Sequence, residues 1–196
     1  MCLTNKIMTF SIFLGSQMVE AKFFIEPYAG WQTGTISLKY NASLPVIGGQ
    51  SDEATANGPG VGLAFGFKLD RLIFGVEGNF NQLDYKLESM PSSMKANQTV
   101  LLGIFGVEFQ EKYRGYISAG TMVAEVDGTV KSSEKGSATK LGIMYRHHKW
   151  ASTSAEYVIH SMNDTTSNGV TTKYSDIYDR YYYNAVQFTL RIPLDF

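Results

Sequence analysis

The sequence predicts an all-β chain folded as an eight-stranded, antiparallel, up-and-down transmembrane β-barrel. Its extended segments alternate apolar and polar residues with a period of two, the signature of a strand whose faces meet different media. The connections between segments alternate between long and short. Past the N-terminus, no run of about 18 apolar residues offers a membrane-spanning helix. The mean hydropathy of −0.12 agrees. The 196 residues suit one domain, and 13% of them are aromatic, with 12 Tyr and 12 Phe. A formal net charge of −1 gives no reason to expect nucleic acid as a partner.

The N-terminal MCLTNKIMTFSIFLGSQMVEA has a short charged region with Lys6, an apolar core from Ile7 to Gly15 and a small-residue site at Val19-Glu20-Ala21. That layout predicts a secretory signal peptide over 1–21 with cleavage after Ala21, leaving 22–196 as the barrel domain. Cys2, the single cysteine, would leave with the signal, so the exported chain would need no disulfide.

The strands follow in order. FFIEPYAGWQTGTISLKY is the first, before a Gly-rich polar stretch. PGVGLAFGFKL puts Val61, Leu63, Phe65 and Phe67 opposite Gly60, Gly62, Gly66 and Lys68. After the tight Asp70-Arg71, the third strand sets Leu72, Phe74, Val76 and Phe80 against Ile73, Gly75, Glu77, Asn79 and Asn81. QTVLLGIFGVEF is the fourth, RGYISAGTMVAEV the fifth, TKLGIMYRHH the sixth and WASTSAEYVIH the seventh. A polar stretch from Ser161 to about Tyr181 precedes the closing AVQFTLRIPLDF, and no helix is expected between strands. Connections after strands one, three, five and seven are long, and those after two, four and six are short. Outer-membrane barrels sort their loops this way, with both termini on the short-turn side.

Alternation does not say which face turns inward. A secreted lipocalin-like barrel also has eight strands but keeps its apolar face inside. Here the polar face carries Glu26, Lys68, Glu77, Glu108, Arg114, Lys140, Arg146, Glu156, Arg191 and Asp195, a balanced set of both signs, interspersed with glycines. An eight-stranded barrel is just wide enough to fill with side chains. Small residues make room there, and buried charges must pair. The polar face is therefore read as the lumen and the apolar face as lipid-facing. Lys68, Glu77, Glu108, Arg114, Lys140, Arg146, Glu156 and Arg191 are the expected lumen charge network. Such a network plugs the lumen; unpaired, the same charges would line a narrow channel for ions or very small solutes. Trp31, Tyr40, Tyr85, Tyr113, Trp150, Tyr157 and Tyr181 to Tyr183 fall near strand ends, where aromatic belts meet the membrane interface.

No catalytic, cofactor-binding or metal-ligating set is expected. His160 and Ser161 are adjacent on a strand and so face opposite ways, which defeats a local nucleophile–base pair. His147 and His148 belong to a turn. Asp164, Asp176 and Asp179 lack the spacing of a calcium loop and read as solvated loop acids.

The opening FFIEPYAGWQTG, the loop asymmetry and the terminal TLRIPLDF resemble the OmpA- and OmpX-like family of eight-stranded outer-membrane β-barrels. The resemblance spans about 22–196. It implies a bacterial outer-membrane location, lipid as the surrounding partner, and an envelope role without enzymatic activity. It also implies that Phe196 belongs to an insertion signal recognised by the outer-membrane assembly machinery, and that the long loops face outward, where a surface ligand could meet them.

Overall fold

The structure is a computed structural model that describes residues 11–14, 17–46, 48–89, 93–128 and 131–196. Eight long strands form the body: β1 (Gln17–Tyr40), β2 (Ser51–Leu69), β3 (Leu72–Leu87), β4 (Met94–Phe109), β5 (Tyr113–Asp127), β6 (Ser132–His148), β7 (Ala151–Ser167) and β8 (Tyr178–Arg191). Each pairs antiparallel with the next, and β8 returns to β1 with Val186 opposite Thr33, closing the ring. Closure leaves the eight-stranded ring itself without a free edge, as a lipid environment requires.

Pairing between β1 and β2 begins at Ala21 opposite Leu69. The short strand Ser11–Leu14 pairs only with 17–20 of β1. Cys2 and Lys6, which the signal-peptide reading invokes, lie outside the described residues. At the other terminus the ladder is interrupted rather than frayed. Pro193 has no N–H to donate, so β8 stops at Arg191 and pairing resumes with Leu194 opposite Ile25 and Asp195 opposite Phe24. Phe196 donates its N–H to the Phe23 carbonyl at 2.8 Å and accepts from the Phe23 N–H at 3.2 Å.

The start of the β1–β2 ladder and the C-terminal residues sit at the end with the tight turns. Asp70, Gln110 and Glu111 take left-handed φ of 54°, 53° and 57°, the conformation that matches a hairpin's twist. At the opposite end the strands run further than the polar composition suggested. The stretch 126–137, expected as a loop, is strand at Val126–Asp127 and again from Ser132 onward, and β7 continues to Ser167. It turns at Asn168–Gly169, returns as Val170–Lys173, and passes through one helical turn, Tyr174–Ile177, that the sequence reading did not expect. Hydroxyl pairs such as Thr166–Thr171, 2.9 Å apart, let polar residues keep pairing beyond the apolar belt.

Burial alternates residue by residue. Leu63, Phe65, Phe67, Phe74, Leu101, Phe105, Leu141, Ile143, Phe188 and Leu190 face outward and are exposed. Their neighbours of opposite parity are buried in the lumen. This overturns the lipocalin-like alternative, whose apolar face would point inward. The aromatic reading needs correction too. Trp31, Tyr113, Trp150, Tyr157 and Tyr182 face outward, but Tyr85 and Tyr183 are buried inside, and Tyr40 and Tyr181 also share the inward parity. A shift of one position along a strand moves a side chain from lipid to lumen, and proximity to a strand end cannot reveal it.

Candidate functional site

The lumen is filled in tiers. Next to the tight turns, Lys68 of β2 lies 3.5 Å from Glu108 of β4 and 2.9 Å from Asp195. Arg146 of β6 completes this tier, 3.0 Å from Asp195 and 3.9 Å from Glu108. The C-terminal segment thereby reaches inward to cations on two different strands.

The middle tier is fully enclosed. Lys140 of β6 sits 2.6 Å from Glu77 of β3 and 3.1 Å from Glu156 of β7, and it donates to the Gln187 amide oxygen at 3.3 Å. Arg191 of β8 pairs with Glu156 and lies 3.5 Å from Glu77. Its guanidinium carbon is 4.2 Å from the centre of the Tyr28 ring, a stacked cation–π contact. Tyr28 donates to Glu77 at 2.7 Å, and Tyr116 donates to Glu156. Arg114 of β5 reaches Glu26 of β1 at 2.7 Å. Glu26, Glu77, Lys140, Glu156 and Arg191 are each at most 2% exposed. In so dry a setting each carboxylate depends on these cations and hydroxyls, because breaking a buried pair leaves an uncompensated charge.

Above lie neutral groups. Gln32 donates to the Tyr183 hydroxyl at 2.7 Å, and Asn81 donates to Gln98 at 3.0 Å. His160 stacks on Tyr183 with ring centres 4.3 Å apart, while Ser161 faces out on the same strand. Higher still, the interior turns apolar, with Ile36, Leu83, Tyr85 and Leu87 in one cluster, while a second cluster, with Met122, Met162 and Tyr174, reaches down to Leu102 opposite Glu77. His147 is exposed at the tight-turn end, its Nε2 2.9 Å from the Thr153 hydroxyl. Asp164 stands between Lys135 and Lys173 in register, while Asp176 lies in the helical turn and Asp179 at the start of β8.

All eight residues expected in the charge network face the lumen and make ion pairs, and Glu26 and Asp195 join them. Sequence reasoning missed Tyr28 and Tyr116, which the network uses as donors. A readable signal existed. Tyr28 stands opposite Gly62 and Tyr116 opposite Gly142 on inward parity, and each ring occupies the space a glycine leaves. The apolar upper interior was also missed, because the alternation fixes sides but not height along the lumen.

No protein-family model matches the chain, and no curated protein matches it in sequence. Among solved structures, Neisserial surface protein A superposes with a TM-score of 0.50 at 16% identity, over 87% of this chain and 96% of that one. The fold is that of a small outer-membrane β-barrel. The attachment invasion locus protein Ail of Yersinia pestis superposes at 0.48 with 11% identity, over 85% of this chain and 98% of the other. A closed β-barrel with an apolar outer belt spans a membrane, and in bacteria such barrels belong to the outer membrane.

Proposed function

We propose that this protein is a non-enzymatic envelope barrel whose lumen is sealed by its own charges and whose extended loop end is presented for surface contact or adhesion. The observation that carries the reading is the enclosure of Lys140 by Glu77, Glu156 and Gln187, with Arg191 beside them. Charges committed to one another at this density fill an eight-stranded lumen. The proposal includes export on the signal peptide 1–21 and recognition of Phe196 by the assembly machinery.

A narrow channel is the second reading, and one observation favours it. Beside the network, the polar side-chain atoms of Asn79 and Ser118 and two nitrogens of Arg114 are buried without a protein partner. Such groups suit a thread of water. Ion flux into dye-loaded proteoliposomes separates the readings: leak no faster than protein-free vesicles supports the sealed barrel, and protein-dependent flux supports the channel.

A further inference from the structure

Above the charged tiers, the lumen gathers sulfur and nitrogen donors that the ion-pair network does not use. Met122 of β5 and Met162 of β7 both stand in register with Gly136 of β6, on inward parity. The glycine between them has no side chain to hold them apart, and both belong to one buried cluster. His160 faces the same way as Met162, two residues along β7, and its Nδ1 lies 2.9 Å from the Met122 Sδ. Ala138 and Gly120 continue the His160 row, so the wall behind these three side chains is made of small residues.

The hydrogen bonds around His160 leave that contact without a proton. Asn81 donates to the Gln98 Oε1 at 3.0 Å, which turns the Gln98 Nε2 toward the His160 Nδ1, 3.4 Å away. Nδ1 therefore accepts from Gln98. The ring proton then sits on Nε2, which is buried without a partner among the described residues. A nitrogen lone pair and a thioether sulfur are left facing each other at 2.9 Å. Moving the proton to Nδ1 would set it against the Gln98 amide N–H instead. A cation held between nitrogen and sulfur resolves the conflict.

The donor set selects the ion. Thioether and imidazole are uncharged, and thioethers favour Cu(I), whereas hard divalent ions demand oxygen ligands. The imidazole is already oriented, because it stacks on Tyr183 at 4.3 Å and Gln32 donates to the Tyr183 hydroxyl at 2.7 Å. Methionine is unbranched with three rotatable bonds, so the two sulfurs can spread to the bond lengths of an ion. Lys140, one row further in than Ala138, is neutralised by Glu77 and Glu156. On the loop side, the next inward-facing row is Glu134 and Thr165, both only half-buried, so an ion reaches Met162 from that end.

We infer that His160, Met122 and Met162 form a binding site for a single Cu(I) ion. The site does not depend on whether the lumen conducts.

Anaerobic titration of Cu(I) into the refolded full-length barrel in maltoside micelles tests this, with ascorbate as reductant and bicinchoninate as the competing chromophoric chelator. Cys2→Ser serves as the parent chain, so that no thiol contributes. One equivalent of copper transfers from the chelator to the parent. Met122→Leu, Met162→Leu and His160→Gln each weaken binding about tenfold or more, the least that disturbing the surroundings of a metal costs. Met144→Leu leaves it unchanged, since that sulfur accepts from Ser152 at 3.4 Å and lies outside the site. Leucine conserves the volume of methionine, so the Met variants fold, which heat-modifiable gel migration verifies. X-ray absorption of the loaded parent shows both sulfur and imidazole scatterers. The inference is overturned if the parent takes no copper from the chelator, or if Met144→Leu weakens binding as much as Met122→Leu. Affinity that survives both Met122→Leu and Met162→Leu overturns it too, as does displacement of Cu(I) by an equal concentration of Zn(II).

Discussion

Lys140 and Glu77 stand on strands three apart round the ring, yet their Nζ and Oε1 atoms lie 2.6 Å from each other. A long side chain thus carries its charge across the interior to a carboxylate that no local element supplies. Glu156, in register with Gly142 on the adjacent strand, holds Lys140 from its other side at 3.1 Å. The interior of this barrel is stitched wall to wall.

Removing Lys140 leaves two buried carboxylates sharing Arg191. Lys140→Ala is expected to destabilise the barrel by about 3–5 kcal/mol, the usual result of orphaning a buried charge. Urea unfolding in lipid vesicles measures this. A loss within about 0.5 kcal/mol, the range of an ordinary surface substitution, would show that the network is slack.

The glycines differ by what faces them. A Cβ at Gly142 meets the Tyr116 ring, whereas one at Gly78 meets nothing within 4 Å. Gly142→Ala should lower the unfolding midpoint by displacing Tyr116 from Glu156, while Gly78→Ala should leave it near wild type. Equal effects at the two sites would contradict the role assigned to the rings.

How much of this was legible in the sequence depends on parity. The side of each residue from Val61 to Arg191 was readable wherever alternation was strict, so the lumen charges could be named one by one. Their partners could not, because strand tilt and stagger decide which tiers align, and neither is written in a single strand. Tyr85 and Tyr183 were misplaced for the same reason that Glu77 was placed well: parity, not distance from a strand end, sets the face. The strands beyond the lipid belt were hidden because composition marks 161–167 as loop, while pairing with β6 keeps it extended.

Glu134 sets a pH dependence of known sign. Burial raises its carboxyl above the usual carboxylate range, so the folded state holds its proton more tightly than the unfolded chain does. Stability therefore falls as pH rises from about the unfolded carboxylate value through the raised one. Thermal melts in micelles across that window should show this decline in the wild type and lose it in Glu134→Gln.

Phe196 packs against Phe23, with ring centres 6.4 Å apart, and is exposed to the lipid side. If it acts as a recognition residue, Phe196→Ala lowers the amount assembled in cells while the purified variant still refolds into vesicles. A parallel loss in both assays would make its role stability alone.

The central claim is that paired side chains close the lumen. Single-channel recording of the refolded wild type in a planar bilayer tests it most directly, with insertion verified by protease protection. The account predicts inserted protein with no resolvable current. Steady ion-selective steps from the wild type would contradict it and make the Lys140 network the lining of a pore.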